Sequence, residues 1–156
     1  MTEFSHLDDR GAARMVDVSG KEVSVRTATA SGRVLLSDTV VGMLRGGGVP
    51  KGDAIAVARI AGIQAAKRTP DLVPLCHPIA IHGVDVDLEV RDEGVALRAV
   101  VRTADRTGVE MEALTCVTVA ALALIDMVKA VDPAAVVTDV RVEEKTGGAT
   151  GSWHRA

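Results

Sequence analysis

The chain has 156 residues, the length of one domain, and 47% of them are apolar, which is enough to bury a core. A net charge of −3 provides no general basic surface for nucleic acid. Two cysteines without a CxxC pair argue against a disulfide scaffold, and no uncharged apolar run approaches the length of a membrane span. With an N-terminus too polar for a signal peptide, these features predict a cytoplasmic protein that binds neither nucleic acid nor membranes.

The first half of the chain predicts one strand and two helices after a polar segment. Residues 1–14 lack periodicity, so we expect a flexible arm. Residues 22–36 are rich in Val and Thr and predict a strand, bent near its middle at Ser31-Gly32. Helices are predicted at 37–44 and 54–67, and Asp53 is a plausible N-cap of the second one.

The second half predicts a hairpin, a long helix and a last strand. Apolar and polar residues alternate strictly over 84–90, and a short turn leads to a second strand at 95–103. A long helix is predicted at 107–131 and a strand at 136–143, and the Gly-rich residues 146–156 are expected to form a flexible tail.

The order of these elements is βαββαβ with one inserted helix. That order is typical of an α+β, ferredoxin-like fold, in which an antiparallel sheet carries its helices on one face. We expect residues 1–156 to form a single domain. Such a fold hosts many functions, so the function must be argued from the candidate site residues.

The long helix contains the most informative charged residues. No charge occurs from Ala113 to Ile125, and then Asp126 follows, so we expect a carboxylate in an apolar environment within the protein or at an interface. Lys129 is close enough to pair with Asp126, and Glu112 precedes it on roughly the same stripe. A structural ion pair and a catalytic pair explain this pattern equally well.

The segment Leu75-Cys76-His77 lies in a loop that is framed by prolines, which restrict the backbone on both sides. Such a loop can hold a polar side chain rigidly in a site. A metal site is disfavoured because no second Cys or His lies at ligand spacing; His82 belongs to a different segment. A Cys–His nucleophile pair is also weakly supported, since neighbours in sequence need not face each other.

Two lysines, Lys51 and Lys145, are candidates for contacts with an anion, and a third, Lys67, is one of the basic residues on or near the second helix. Lys51 precedes a helix start, where free backbone N–H groups can hold an anion, although the tract is not a P-loop and such tracts usually just connect helices. Lys67 lies near the end of the second helix, where a solvated charge is the simpler interpretation. Lys145 precedes a Gly-rich segment that can either fold over an anionic ligand or fray.

Six segments combine these residues in one order: Met15-Val16-Asp17-Val18, Lys51-Gly52-Asp53, residues 58–69, Leu75-Cys76-His77-Pro78, residues 107–115 and residues 126–130. Together they resemble the cyclic pyranopterin monophosphate synthase family, the MoaC family, from His6 to Gly151. The segment Thr146-Gly147-Gly148-Ala149-Thr150-Gly151 departs mildly from the family's Ser-Gly-Gly-x-Ser-Gly but keeps the hydroxyl groups.

The resemblance implies a lyase of molybdenum cofactor biosynthesis. Its substrate would be 3′,8-cyclo-7,8-dihydroguanosine 5′-triphosphate, and its products cyclic pyranopterin monophosphate and diphosphate. Family members are ferredoxin-like homohexamers, trimers of dimers with sites between subunits. No cofactor or protein-bound metal is implied, and whether Mg²⁺ accompanies the triphosphate stays open.

Carried over residue by residue, the resemblance implies three catalytic residues: Asp126, Lys51 and Lys129. It implies substrate-binding roles for Leu75, Cys76, His77, Met111 and Glu112, and contacts of Lys67 and Lys145 with the phosphates. Our hypothesis is that the two catalytic lysines exchange protons at a lowered pKa, with Asp126 orienting Lys129. The near-absence of aromatic residues argues against holding the base by stacking.

The sequence also bears on two other functions. A ferredoxin-like RNA-binding module would present aromatic residues on its strands, and 84–90 and 95–103 have none. A non-catalytic regulatory protein that binds a phosphorylated small molecule is compatible with the sequence. Release of diphosphate from the cyclised nucleotide distinguishes the enzyme from the regulator.

Overall fold

The structure is a computed structural model that describes residues 3–46, 49 and 53–156. In chain order its helices and strands are β1 Ser24–Leu35, α1 Asp38–Gly46, α2 Ala54–Ala66, α3 Thr69–Leu72, β2 Gly83–Arg91, β3 Gly94–Asp105, α4 Glu110–Val128, β4 Val136–Thr146 and β5 Trp153–His154.

The strands form one antiparallel sheet in the order β2-β3-β1-β4-β5. The first four follow the order expected of a ferredoxin-like βαββαβ fold, so the predicted α+β fold class is confirmed. The register of β1 with β4 shifts on both sides of Ser31, next to the bend predicted at Ser31-Gly32. A Cβ on Gly32 would lie 2.7 Å from the Val117 side chain of α4, so the sheet approaches the helix closely there.

The core lies between one face of the sheet and the pair α2–α4. Alternate residues of β1 and β3 point into it, among them Ala28, Ala30, Leu97 and Ala99, each at most 2% exposed. Such small side chains allow the helices to sit close to the sheet. The other face of the sheet carries charged and small residues.

The packing of α2 against α4 depends on small residues. Asp53 caps α2 as predicted, because its carboxylate accepts the Ala56 N–H at 3.0 Å. A Cβ on Gly62 would lie 2.8 Å from the Cys116 carbonyl oxygen of α4. The loop after α3 also reaches the start of α4, where the Cys76 side chain contacts Glu112.

Helix α4 is long and apolar enough to cross a bilayer by length and composition alone. Half of the relevant segment is nevertheless buried inside the protein, with Ala113, Val117, Ala121 and Leu124 fully enclosed. Core helices of globular domains have this character. We therefore interpret α4 as the central core helix.

The structure differs from the prediction in three elements. Thr69-Pro70, expected to end a helix, begins the short helix α3, since proline is well accommodated in a first helical turn. Strand β4 runs on to Thr146, beyond its predicted end at residue 143, so Lys145 lies in the sheet. The tail contributes β5, which pairs with β4.

Candidate active site

The first turn of α4 carries a buried carboxylate. Glu112 is 2% exposed, and the Cys76 thiol donates a hydrogen bond to its Oε2 at 3.4 Å. Burial raises the pKa of Glu112, while the hydrogen bond from Cys76 acts in the opposite direction. Burial, together with the neighbouring carboxylates of Glu112 and Glu110, raises the pKa of the Cys76 thiol to about 12.

A lysine from the sheet reaches the same turn. Lys145 pairs with Ala28 in the register of β4 with β1, and its Nζ lies 3.4 Å from Glu110 Oε1. Both side chains are partly exposed, so the ammonium remains accessible to an anionic ligand. We call Cys76, His77, Glu110, Glu112 and Lys145 the Glu112 cluster.

His77 is held by the N-terminal segment that precedes β1. Its Nε2 donates to the Val16 carbonyl oxygen at 2.5 Å, so Nε2 carries the proton and Nδ1 is left for a ligand. An open pocket of about 760 Å³ adjoins this contact. Its lining includes Asp17, His77, Arg106 and Thr107. Polar groups of both signs therefore surround the imidazole.

The last turn of α4 carries the second group of predicted residues. Lys129 Nζ lies 2.7 Å from Asp126 Oδ1, which agrees with the predicted pairing. Their side chains are 58% and 59% exposed. The single chain therefore does not bury Asp126, because α4 turns this stripe away from both the sheet and α2. The other expected environment, an interface, stays a prediction.

The two groups of residues lie far apart on one straight element. Fourteen residues separate Glu112 from Asp126, which is about 21 Å of helix at 1.5 Å per residue. Glu112 is also buried, whereas Asp126 is exposed. The candidate residues on α4 therefore lie in two separate groups within one chain and do not form one closed site.

The remaining predicted residues fall in different places. Leu75 is partly buried in the loop before β2, Met111 is exposed beside the Glu112 cluster, and Lys67 is exposed at the C-cap of α2. Lys51 lies outside the described residues. Among the residues that the structure describes, no group of three or more His, Cys, Asp or Glu could hold a metal ion.

Comparison with known proteins decides the family. The sequence model of the MoaC family matches residues 15–148. The chain is 71% identical over 155 residues to a cyclic pyranopterin monophosphate synthase of a Nocardioides species, covering 97% of this chain and 95% of that protein. It is 69% identical to the Streptomyces avermitilis protein of that name, with coverage of 98% and 90%.

The chain belongs to the MoaC family. A more distant relative, the Mycobacterium tuberculosis protein named cyclic pyranopterin monophosphate synthase 2, is still 58% identical over 98% of this chain. Every residue predicted for the site lies within the range matched by the MoaC model, from 15 to 148.

For this MoaC-family chain, the sequence analysis did not single out two charged residues that lie beside the candidate site, Glu110 and Arg26. Glu110 pairs with Lys145, and Arg26 donates from Nε to the Asp105 carbonyl oxygen at 3.1 Å. The Arg26 guanidinium lies against Gly148, where a Cβ would be only 2.2 Å from Nη1. Only the register of β1 with β4 brings Arg26 to the segment after Lys145. The available sequence signal was that Glu110 and Glu112 both occupy the first turn of a helix, where carboxylates are favoured.

Proposed function

We propose that this chain is a cyclic pyranopterin monophosphate synthase. The lyase converts 3′,8-cyclo-7,8-dihydroguanosine 5′-triphosphate into cyclic pyranopterin monophosphate and releases diphosphate, within molybdenum cofactor biosynthesis. The observation that carries the proposal is 71% identity, over nearly the full length of both chains, to a relative of that name. The side chains on α4 and on the loop before β2 supply suitable chemistry.

In this proposal the Glu112 cluster binds the substrate. Glu112 accepts N–H donors from the guanine-derived ring, because a buried carboxylate is a strong acceptor for a ligand that excludes water. Lys145 and His77, joined by Lys67, hold the triphosphate. The partial exposure of Lys145 and the open pocket beside His77 support these roles. Leu75, Cys76 and Met111 complete the binding surface.

Catalysis is assigned to Asp126, Lys129 and Lys51. Ring opening and reclosure require protons to move on and off nitrogen and oxygen, and two lysines that exchange them can contribute about 10²–10⁴-fold each. The 2.7 Å contact supports a role for Asp126 in orienting Lys129. Since the pair is exposed in the single chain, a neighbouring subunit must supply the enclosure that this chemistry needs.

The outward stripe of α4 supports a site shared by two subunits. Met111, Thr118, Leu122, Asp126 and Lys129 are all exposed and follow each other at helical spacing. An antiparallel pair of α4 helices, centred just after Thr118, sets Met111 opposite Asp126 of the partner subunit. The acidic first turn then faces Lys129 of the partner subunit, so the charges are complementary.

The full assembly we propose is a cytoplasmic homohexamer, a trimer of dimers. Exposed apolar side chains on the helical layer, such as Val57, Ile60 and Leu122, favour burial against other copies. We propose no protein-bound cofactor, and any Mg²⁺ would arrive with the triphosphate. The proposed partners include neither nucleic acid nor a membrane.

The decisive experiment is incubation of the purified protein with the cyclised guanosine triphosphate. We expect stoichiometric release of diphosphate and formation of the cyclic phosphate product by mass spectrometry. Binding of the nucleotide without release of diphosphate would instead support the regulatory protein. The Asp126→Ala variant serves as the control, because it should keep the fold and lose the reaction.

A further inference from the structure

The contact between Cys76 and Glu112 has a definite direction. A carboxylate can only accept a hydrogen bond, so the Cys76 thiol is the donor across the 3.4 Å between Sγ and Oε2. Glu112 is almost fully enclosed, and its own backbone N–H also contributes a hydrogen bond to the carboxylate. The thiol therefore fixes one of the two oxygens of a buried acid.

The protonation state of Cys76 agrees with this role. With a pKa raised to about 12, the thiol keeps its proton near neutral pH. It is then unsuited to act as a nucleophile or as a metal ligand, both of which require the thiolate. The hydrogen bond also favours the ionised form of Glu112, because a donor stabilises the charged acceptor.

We propose that Cys76 is a positioning residue, whose thiol orients the Glu112 carboxylate toward the substrate and does not itself contact the substrate. The inference rests on the proposed function, since it assumes that Glu112 accepts donors from the ring of the nucleotide. It changes the role given to Cys76 from binding the ligand to preparing the residue that binds it.

Cys116 provides a matched control within the same chain. It is also a free cysteine, fully buried on α4, and burial alone raises its pKa to about 12. Neutralising Glu112 should therefore affect Cys76 and leave Cys116 unchanged.

The first test is a double-variant cycle on kcat/KM for diphosphate release. We expect Cys76→Ala to lower kcat/KM about tenfold and to move the acidic limb of its pH profile upward, because Glu112 loses the donor that favours ionisation. Cys76→Ser should restore most of the loss, since a hydroxyl can donate to the same oxygen. Cys116→Ser should match the wild type.

The deciding result is the kcat/KM of the variant that combines Cys76→Ala with Glu112→Gln. If Cys76 acts only through Glu112, Cys76→Ala combined with Glu112→Gln is no slower than Glu112→Gln alone. If the combined variant loses a further factor of about ten, Cys76 contacts the substrate independently and the proposal is overturned. Should Glu112→Gln be too slow to assay, the same cycle is measured on the affinity for the cyclised nucleotide.

A second test does not depend on turnover. In a Cys116→Ser background, alkylation of the remaining thiol by iodoacetamide at pH 9 reports the thiolate fraction of Cys76. Glu112→Gln should accelerate it about tenfold, the effect of a drop of one pKa unit. In a Cys76→Ser background, Cys116 should stay unreactive in the folded protein with either Glu or Gln at position 112, because its thiol is fully buried. An unchanged rate at Cys76 overturns the proposal, whereas a wild type that alkylates as expected but releases no diphosphate contradicts the proposed function alone.

Discussion

The two ends of α4 differ in how complete they are within one chain. At the first turn, Glu112 is buried and already held by Cys76, and Lys145 lies within 3.4 Å of Glu110. At the last turn, Asp126 and Lys129 meet each other at 2.7 Å but remain largely exposed. The comparison teaches that the fold of a single chain already organises the proposed binding groups, whereas the proposed catalytic groups require enclosure by a neighbouring subunit.

The largest expected effect comes from removing the exposed pair. Asp126→Ala or Lys129→Ala should reduce kcat by about 10²–10⁴-fold, since each removes a group proposed to move or orient a proton. In a chain kept from assembling by Leu122→Glu, the melting temperature should change by no more than about 2 °C, because the pair is then exposed and exposed ion pairs contribute little to stability. Diphosphate release and thermal unfolding measure the two effects.

The matched control is the ion pair between Arg45 and Asp92, with a separation of 2.9 Å at an exposed site. Asp92→Ala should change neither activity nor melting temperature. If Asp126→Ala lowers the melting temperature by many degrees as well as abolishing activity, the pair has a structural role.

The next prediction tests whether a neighbouring subunit encloses Asp126 and Lys129. Leu122 is 61% exposed in the middle of the outward stripe of α4. Leu122→Glu should leave the fold of the single chain intact, because the side chain contributes nothing to its core. It should dissociate the assembly and lower activity by at least about hundredfold, because dissociation separates the first turn of α4 in one subunit from the last turn of α4 in its partner.

Analytical ultracentrifugation checks the dissociation. Val23→Glu is the control, since Val23 is 54% exposed just before β1 and does not belong to the outward stripe of α4. A Leu122→Glu protein that remains assembled and active would place the interface on another surface.

The smallest effect concerns stability at the buried end. The pKa of Glu112 is raised by burial, so the folded protein binds this proton more tightly than the unfolded chain does. The contribution of Glu112 to stability therefore decreases as the pH rises above its unfolded pKa, and it improves again on acidification. Glu112→Gln should raise the melting temperature at pH 7.5 by about 2–5 °C, and the gain should shrink toward pH 5.

Calorimetry at several pH values measures this gain. Glu89→Gln is the control, because Glu89 is an exposed carboxylate on β2 outside the Glu112 cluster. It should give no gain at any of these pH values. A gain at Glu112 that is independent of pH would exclude ionisation as its cause.

Much of the fold was predictable because local patterns were consistent with it. The strict alternation at 84–90 became β2, Asp53 capped α2, and the order of elements gave the strand order of the sheet. The inserted turn α3 was missed because its proline also fits the end of a helix. The extension of β4 past Lys145 depends on pairing with β1, which the local sequence does not encode.

The sequence indicated which residues are candidates for the site, but it did not indicate how they are arranged in space. Helix α4 is apolar on nearly every face, so its sequence could not tell which stripe meets the core and which carries Asp126 outward. Arg26 and Glu110 became visible only through contacts made across the sheet and between β4 and α4. The family resemblance joined the residues, while the structure separated them into two groups.

The most direct measurement is subunit mixing between two inactive variants. Asp126→Ala removes the last-turn group, and Glu112→Gln impairs the first-turn group. Unfolded together in equal amounts and refolded, they should regain about one quarter of wild-type diphosphate release, because half of the dimers are mixed and each mixed dimer has one intact site. Activity no greater than the sum of the two parents would contradict the account, since it would mean that each chain completes its own site.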